Sequence, residues 1–249
     1  MNYITHNTLF LISIVLNSLF LLFTFFFVSR KGGISYIKSI ISIIGNKYSK
    51  NGWGINAYYK DKKSQFEILP KSSDSILFVG DSLTDQGEWV ELLGNPNIKN
   101  RGISGDTIGR ILNRLDTIIQ TKPKQIFLMV GINDLVNEKK SIEAVLEGYK
   151  TILSELQTHT PNTEVFIQSV LPVNNDFVLF WQNNDNIIKL NLKLQSLAKE
   201  ISLQYIDLFS HLADAENRLD AKYTTDGVHL NGFAYLIWKE VVESYVAVN

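Results

Sequence analysis

The sequence predicts an α/β domain built on a parallel sheet over residues 70–249, and three observations predict it. Short apolar runs of strand length recur, amphipathic stretches of helix length separate them, and the two alternate without an internal repeat or a low-complexity linker. Strands joined by helices of that length pair in parallel through right-handed crossovers, which leaves helices on both faces of the sheet.

Taken in order, the first strand is Ile76-Leu77-Phe78-Val79, and a weaker one lies near Asn97–Asn100. Gln125–Val130, Glu164–Val170 and Gln204–Leu208 follow as near-continuous apolar runs, the pattern of strands buried on both faces. Between and after them the helix candidates are Glu88–Leu93, Thr107–Gln120, Ser141–Gln157, Asn183–Ile201 and Gly232–Val246. In such a sheet a ligand is expected at the carboxyl ends of the strands.

Upstream the composition changes. Thr8–Val28 contains no charged residue, and as a helix it reaches ~31 Å, the thickness of a bilayer core. No Lys or Arg precedes it and no A-x-A-like cleavage site follows, so residues 1–30 read as a retained anchor with the membrane contacted through 8–28. Residues 31–69 read as a juxtamembrane amphipathic segment or linker; its isoleucines and the aromatics Trp53, Tyr58 and Tyr59 suit a helix at the headgroups and one packed on the following domain equally. Arg30, Lys31, Lys38, Lys47 and Lys50 all follow the span, which predicts a single-pass protein with the α/β domain on the cytoplasmic side, the cell envelope being the alternative.

Whole-chain composition narrows the function. The 249 residues carry 24 Lys+Arg against 25 Asp+Glu, a net charge of -1, so no cationic surplus is available for general binding to nucleic acid. There is no cysteine, which removes disulfides, thiolate metal sites and a cysteine nucleophile.

The candidate chemistry sits at the expected strand ends. Gly80-Asp81-Ser82-Leu83-Thr84 puts Ser82 on the turn after the first strand, where it could be a nucleophile or an ordinary helix cap. The G-x-S-x-G elbow is absent. Of the four histidines, His6 precedes the apolar run, His159 lies in a Thr-His-Thr-Pro loop and His211 follows Asp207 on a surface helix. His229 remains, three residues after Asp226 across Gly227, a spacing that lets the carboxylate hold Nδ1 and leave Nε2 as a base; the plain alternative is a turn Asp and a helix-start His. Gly105, in Asn100–Thr107, and Asn133, in Gly131-Ile132-Asn133-Asp134, can supply donors for an oxyanion, or serve as a turn glycine and a turn amide. Asp81 reads as a helix-terminal partner rather than a second base. A metal-dependent phosphoesterase would have to draw on Asp81, Asp85, Asp106, Asp134 and Asp226, and would leave Ser82 and Asn133 without a role.

Together these blocks resemble the SGNH (GDSL-type) esterase family, whose Ser, Gly, Asn and His are matched by Ser82, Gly105, Asn133 and His229, with Asp226 completing D-x-x-H. The resemblance runs from about Ser75 to Val246. Within the family it is nearest the platelet-activating-factor acetylhydrolase-like and carbohydrate acetylesterase branch, through Asn100–Thr107, Arg114-Leu115, Lys122-Pro123-Lys124, Leu171-Pro172 and Tyr223–Leu230. It implies a flavodoxin-like three-layer α/β/α sandwich with five parallel strands. It also implies a Ser82–His229–Asp226 triad, an oxyanion hole from Ser82, Gly105 and Asn133, no cofactor or metal, and a small-molecule or carbohydrate acyl ester as substrate. A lysophospholipase- or thioesterase-like lipid hydrolase and a non-catalytic tethered module are the alternatives. Phe177, Phe180 and Trp181, after the fourth strand, could wall a small acyl pocket, stack on a sugar ring or simply pack on the domain.

Overall fold

The computed structural model describes residues 2–30, 33, 53–177 and 182–246. It divides into two compact units, 1–56 and 57–249. In the first unit, α1 (Asn2–Arg30) is a helix long and apolar enough to cross a membrane over Thr8–Arg30. Two of its polar side chains bond back to the helix itself: Thr24 Oγ1 donates to the Phe20 carbonyl at 2.6 Å and Asn17 Nδ2 to the Ser13 carbonyl at 2.8 Å. Lys31, Lys38, Lys47, Lys50 and most of the expected 31–69 segment lie outside the described residues.

The second unit holds five parallel strands: β1 (Ile76–Gly80), β2 (Ile98–Gly102), β3 (Gln125–Met129), β4 (Glu164–Gln168) and β5 (Gln204–Ile206), ordered β2-β1-β3-β4-β5. Helices cover both faces, giving the expected α/β architecture. Alternate residues of each strand point to opposite faces. Leu77, Val79, Ile126, Leu128, Val165 and Ile167 enter one core with α8 (Ile142–His159) and α9 (Asn184–Glu200). Phe78, Phe127 and Phe166 enter the other, with Trp89 from α4 (Trp89–Leu93) and Trp238 from α10 (Gly232–Val242). These three phenylalanines are register partners and stack across the strands, Phe78 on Phe127 at 4.7 Å and Phe127 on Phe166 at 4.6 Å. Each ring buried there contributes ~1.5–3 kcal/mol, and each stack about 0.5–1.5 kcal/mol more.

Several strands are shorter than their apolar runs, because side chains capture the backbone. Tyr149 Oη donates to the Val130 carbonyl at 2.7 Å and accepts from its N–H at 3.1 Å. Asn191 does the same for Val170, at 2.8 and 2.9 Å. Ser169 Oγ takes the N–H groups of Leu208 and Phe209. The apolar pattern continues past each ladder, and the ladder stops where a better-placed partner takes over.

The helix expected over Thr107–Gln120 is two helices, α5 (Ile108–Leu112) and α6 (Leu115–Ile119). Arg114 breaks it. Its side chain is fully buried and pairs with Asp106, Nη2 to Oδ2 at 2.8 Å. A buried guanidinium must be paired, and the helix gives way to let it turn inward. Two short helices absent from the expected set, α3 (Ser82–Asp85) and α7 (Ile132–Val136), follow β1 and β3 directly.

α2 (Trp53–Ile68) occupies the end of the expected linker. From Ala57 onward it belongs to the second unit, so that unit begins earlier than the expected boundary at residue 70. Phe66 is 5% exposed, with Arg101 4.8 Å above its ring.

Candidate active site

In-register pairing brings the carboxyl ends of three strands together: Gly80 of β1 lies between Gly102 of β2 and Met129 of β3. The segments that follow, carrying Ser82, Gly105 and Asn133, therefore leave the sheet side by side. Ser82 is the first residue of α3, where an α-helix leaves N–H groups without intrahelical partners. Asp81 caps that helix, accepting the Leu83 N–H at 3.1 Å.

The fourth segment is a turn closed by the antiparallel bridge Thr224–Leu230. Within it Asp226 Oδ1 accepts the N–H groups of Val228 at 3.0 Å and His229 at 2.8 Å. Its Oδ2 lies 2.6 Å from His229 Nδ1. His229 Nε2 lies 3.2 Å from Ser82 Oγ. Gly227 makes the turn possible with φ 90°, and a Cβ there would lie 2.2 Å from the Asn174 carbonyl oxygen. The turn is bound to the loop after β4 by Asn174 N–H donating to the Gly227 carbonyl at 2.7 Å. Sequence reading had no sign of Thr224, whose Oγ1 accepts the Gly227 N–H at 2.9 Å; only the folded turn brings them together.

Gly105 has φ 81°, a setting glycine adopts at no steric cost. Asn133 Nδ2 donates to the Asp106 carbonyl at 3.0 Å, tying α7 to the residue after Gly105. A primary amide has two N–H donors, so this bond leaves one for another acceptor.

The five carboxylates weighed as a metal set answer to separate partners. Asp81 caps α3, Asp85 accepts from Ser104, Asp106 pairs with Arg114, Asp134 with Lys140, and Asp226 with His229. Burial raises Asp106 to about 6 against the opposing pull of Arg114. Burial also pushes the Asp226 carboxyl up, but the hydrogen bonds from His229 and the Val228 and His229 N–H groups outweigh it and hold the group below its ordinary value. Asp226 is therefore an anion at neutral pH, matched to the Nδ1–H tautomer of His229. The pair stays within reach of solvent, with 35% of the His229 side chain and 42% of Asp226 exposed.

The GDSL-like Lipase/Acylhydrolase family model matches residues 78–237. The chain belongs to that family. The acylhydrolase is 31% identical over 166 residues to rat (Rattus norvegicus) platelet-activating factor acetylhydrolase IB subunit alpha2, covering 64% of this chain and 70% of the relative. Among solved structures it superposes with TM-score 0.70 and 26% identity on a Streptococcus pneumonia protein assigned as a platelet activating factor, covering 77% of this chain and 94% of that one. A GDSL-like lipase from Bacteroides thetaiotaomicron shares the fold, with TM-score 0.65 and 22% identity over 76% of this chain and 97% of its own. The protein is a carboxylic ester hydrolase, and the resemblance read from the four blocks is borne out.

Asp81 of the acylhydrolase has a measurable consequence for stability. Burial lifts its carboxyl from 3.8 to about 7. A raised folded-state value means that the native state holds the proton more tightly, so the contribution is complete below the unfolded value and is lost as pH rises through about 7. Asp81→Asn keeps an acceptor for Leu83 and cannot ionise. Its melting temperature relative to the parent is expected to rise more at pH 8 than at pH 5; a pH-independent difference would show that the ionised carboxylate is not strained by burial.

Proposed function

We propose that the protein is a membrane-anchored serine esterase that removes short acyl groups, acetyl above all, from alcohols. The observation that carries this reading is the chain of contacts from Asp226 through His229 to Ser82, at 2.6 and 3.2 Å. Ser82 Oγ attacks the ester carbonyl while His229 Nε2 takes its proton. Asp226 stays ionised and stabilises the imidazolium. The tetrahedral oxyanion is held by the N–H groups of Ser82 and Gly105 and by the Asn133 amide. His229 returns the proton to the departing alcohol, then activates a water that hydrolyses the acyl-enzyme. No metal or cofactor takes part in these steps.

The acetyl preference follows from likeness to an acetylhydrolase. Of the aromatics expected near the crevice, Phe177 has its Cβ 3.3 Å from the position a Cβ on Gly227 would take. Phe180 and Trp181 lie outside the described residues. A p-nitrophenyl ester series from acetate to palmitate tests the reading on the full chain in detergent. kcat/KM is expected to be highest for acetate; a steady rise toward palmitate would move the assignment to a lipid hydrolase.

Residues 1–30 are the anchor, and the cations after it favour the hydrolase domain on the cytoplasmic side. With no native cysteine, Asn2→Cys is expected to react with an impermeant maleimide in intact cells and Ser49→Cys only after permeabilisation. The opposite pattern would put the domain in the cell envelope, with an extracytoplasmic polysaccharide ester as the substrate class.

A further inference from the structure

We infer that α2 is a positioning element of the acyl-transfer site, holding the turn at Ser104–Gly105 through contacts of Tyr58 and Lys62 with Asp85. The inference rests on the catalytic reading above, and concerns residues that lie before the family-matched region 78–237.

Asp85 ends α3, the helix that Ser82 begins. Its Oδ2 accepts the Ser104 N–H at 3.0 Å and the Ser104 Oγ–H at 2.7 Å, so one carboxylate joins the nucleophile's helix to the residue before Gly105. That carboxylate is 6% exposed and is approached from α2 by two donors. Tyr58 Oη donates to Oδ2 at 2.8 Å, and Lys62 Nζ stands 3.4 Å from Oδ1. Burial, then the bond to Asp85 and its charge, push the Tyr58 hydroxyl up to about 12, so it remains a donor through the neutral range.

The same helix reaches the other side of the turn. Tyr59 Oη donates to the Arg110 carbonyl at 2.8 Å, and the Arg110 guanidinium lies 5.3 Å from the Tyr59 ring while Nη1 donates to the Gly105 carbonyl at 3.5 Å. The turn is thus gripped from both flanks by one helix. Glycine needs such a grip, because at φ 81° it has no side chain to favour one peptide orientation over another. An oxyanion donor contributes only when already aimed at the developing charge.

The test compares the full chain in detergent with Tyr58→Phe, Lys62→Met and the double variant, using p-nitrophenyl acetate turnover and a fluorophosphonate titration of reactive serine. Loss of aim costs rate rather than binding, so the double variant is expected to lower kcat about tenfold at unchanged KM. Its melting temperature and titratable fraction should be those of the parent. Lys62→Arg should retain the parental kcat, as should Lys63→Met, which removes the contacts with the Asn113 carbonyl and with Glu67 and none with Asp85. An unchanged kcat in the double variant, a kcat loss matched by loss of titratable protein, or an equal loss in Lys63→Met would each overturn the proposal. Turnover that persists in Ser82→Ala would sink the triad reading and this proposal together; Ser82-dependent turnover that ignores the double variant sinks this proposal alone.

Discussion

Ser82→Ala is expected to lower kcat by about 10⁴–10⁶-fold while KM changes little, and to abolish labelling by a fluorophosphonate. Alanine keeps the backbone N–H at the start of α3 and the Asp81 cap, so the proposed oxyanion donors and the fold persist. What disappears is the oxygen 3.2 Å from His229 Nε2, and with it the covalent route. The residual rate measures what binding and oxyanion donors achieve with water as nucleophile. Labelling that survives in the variant would move the nucleophile elsewhere.

Asp226→Asn is expected to lower kcat by about 10⁴-fold, although it is nearly isosteric. The reason lies in the backbone. Oδ1 is committed to the N–H groups of Val228 and His229, so the amide oxygen of an Asn takes that position and its NH₂ faces Nδ1. Nδ1 must then accept, which places the ring proton on Nε2, where it meets Ser82 Oγ as a donor and cannot act as a base. Asp226→Ala, which imposes no tautomer, should do no worse than Asn. An Asn variant close to the parental kcat would mean that the carboxylate orients nothing essential.

How much of this could be read from the sequence depends on how local each cause is. Ser82, Gly105, Asn133 and His229 were legible because each lies within a few residues of a strand or helix end that the apolar pattern marks, and Asp226 lies three residues from its partner. The break at Arg114 was not: its cause is Asp106, eight residues away, and nothing in the helical periodicity of 107–120 announces a buried guanidinium. The role of α2 was illegible for a different reason. Its aromatic and lysine residues satisfy a lipid headgroup region and a protein surface by the same chemistry, so only the partners found for Tyr58, Tyr59 and Phe66 separate the two. Asp85 stood in the sequence as one carboxylate among five, and its contact with Ser104 spans a whole strand.

The strand order has a consequence for the protein as a solute. β2 and β5 are the outer strands, and an outer strand offers unpaired backbone to any neighbouring chain. On β2 the outward-facing Asn100 carbonyl is taken by Arg101 Nη1 at 2.9 Å and the Gly102 N–H by Asn100 Oδ1 at 2.8 Å, while Lys99 and Arg101 set charge along the strand. β5 is three residues long, too short to template a sheet. Capped and charged backbone on one margin and a very short strand on the other both disfavour edge-to-edge pairing between copies.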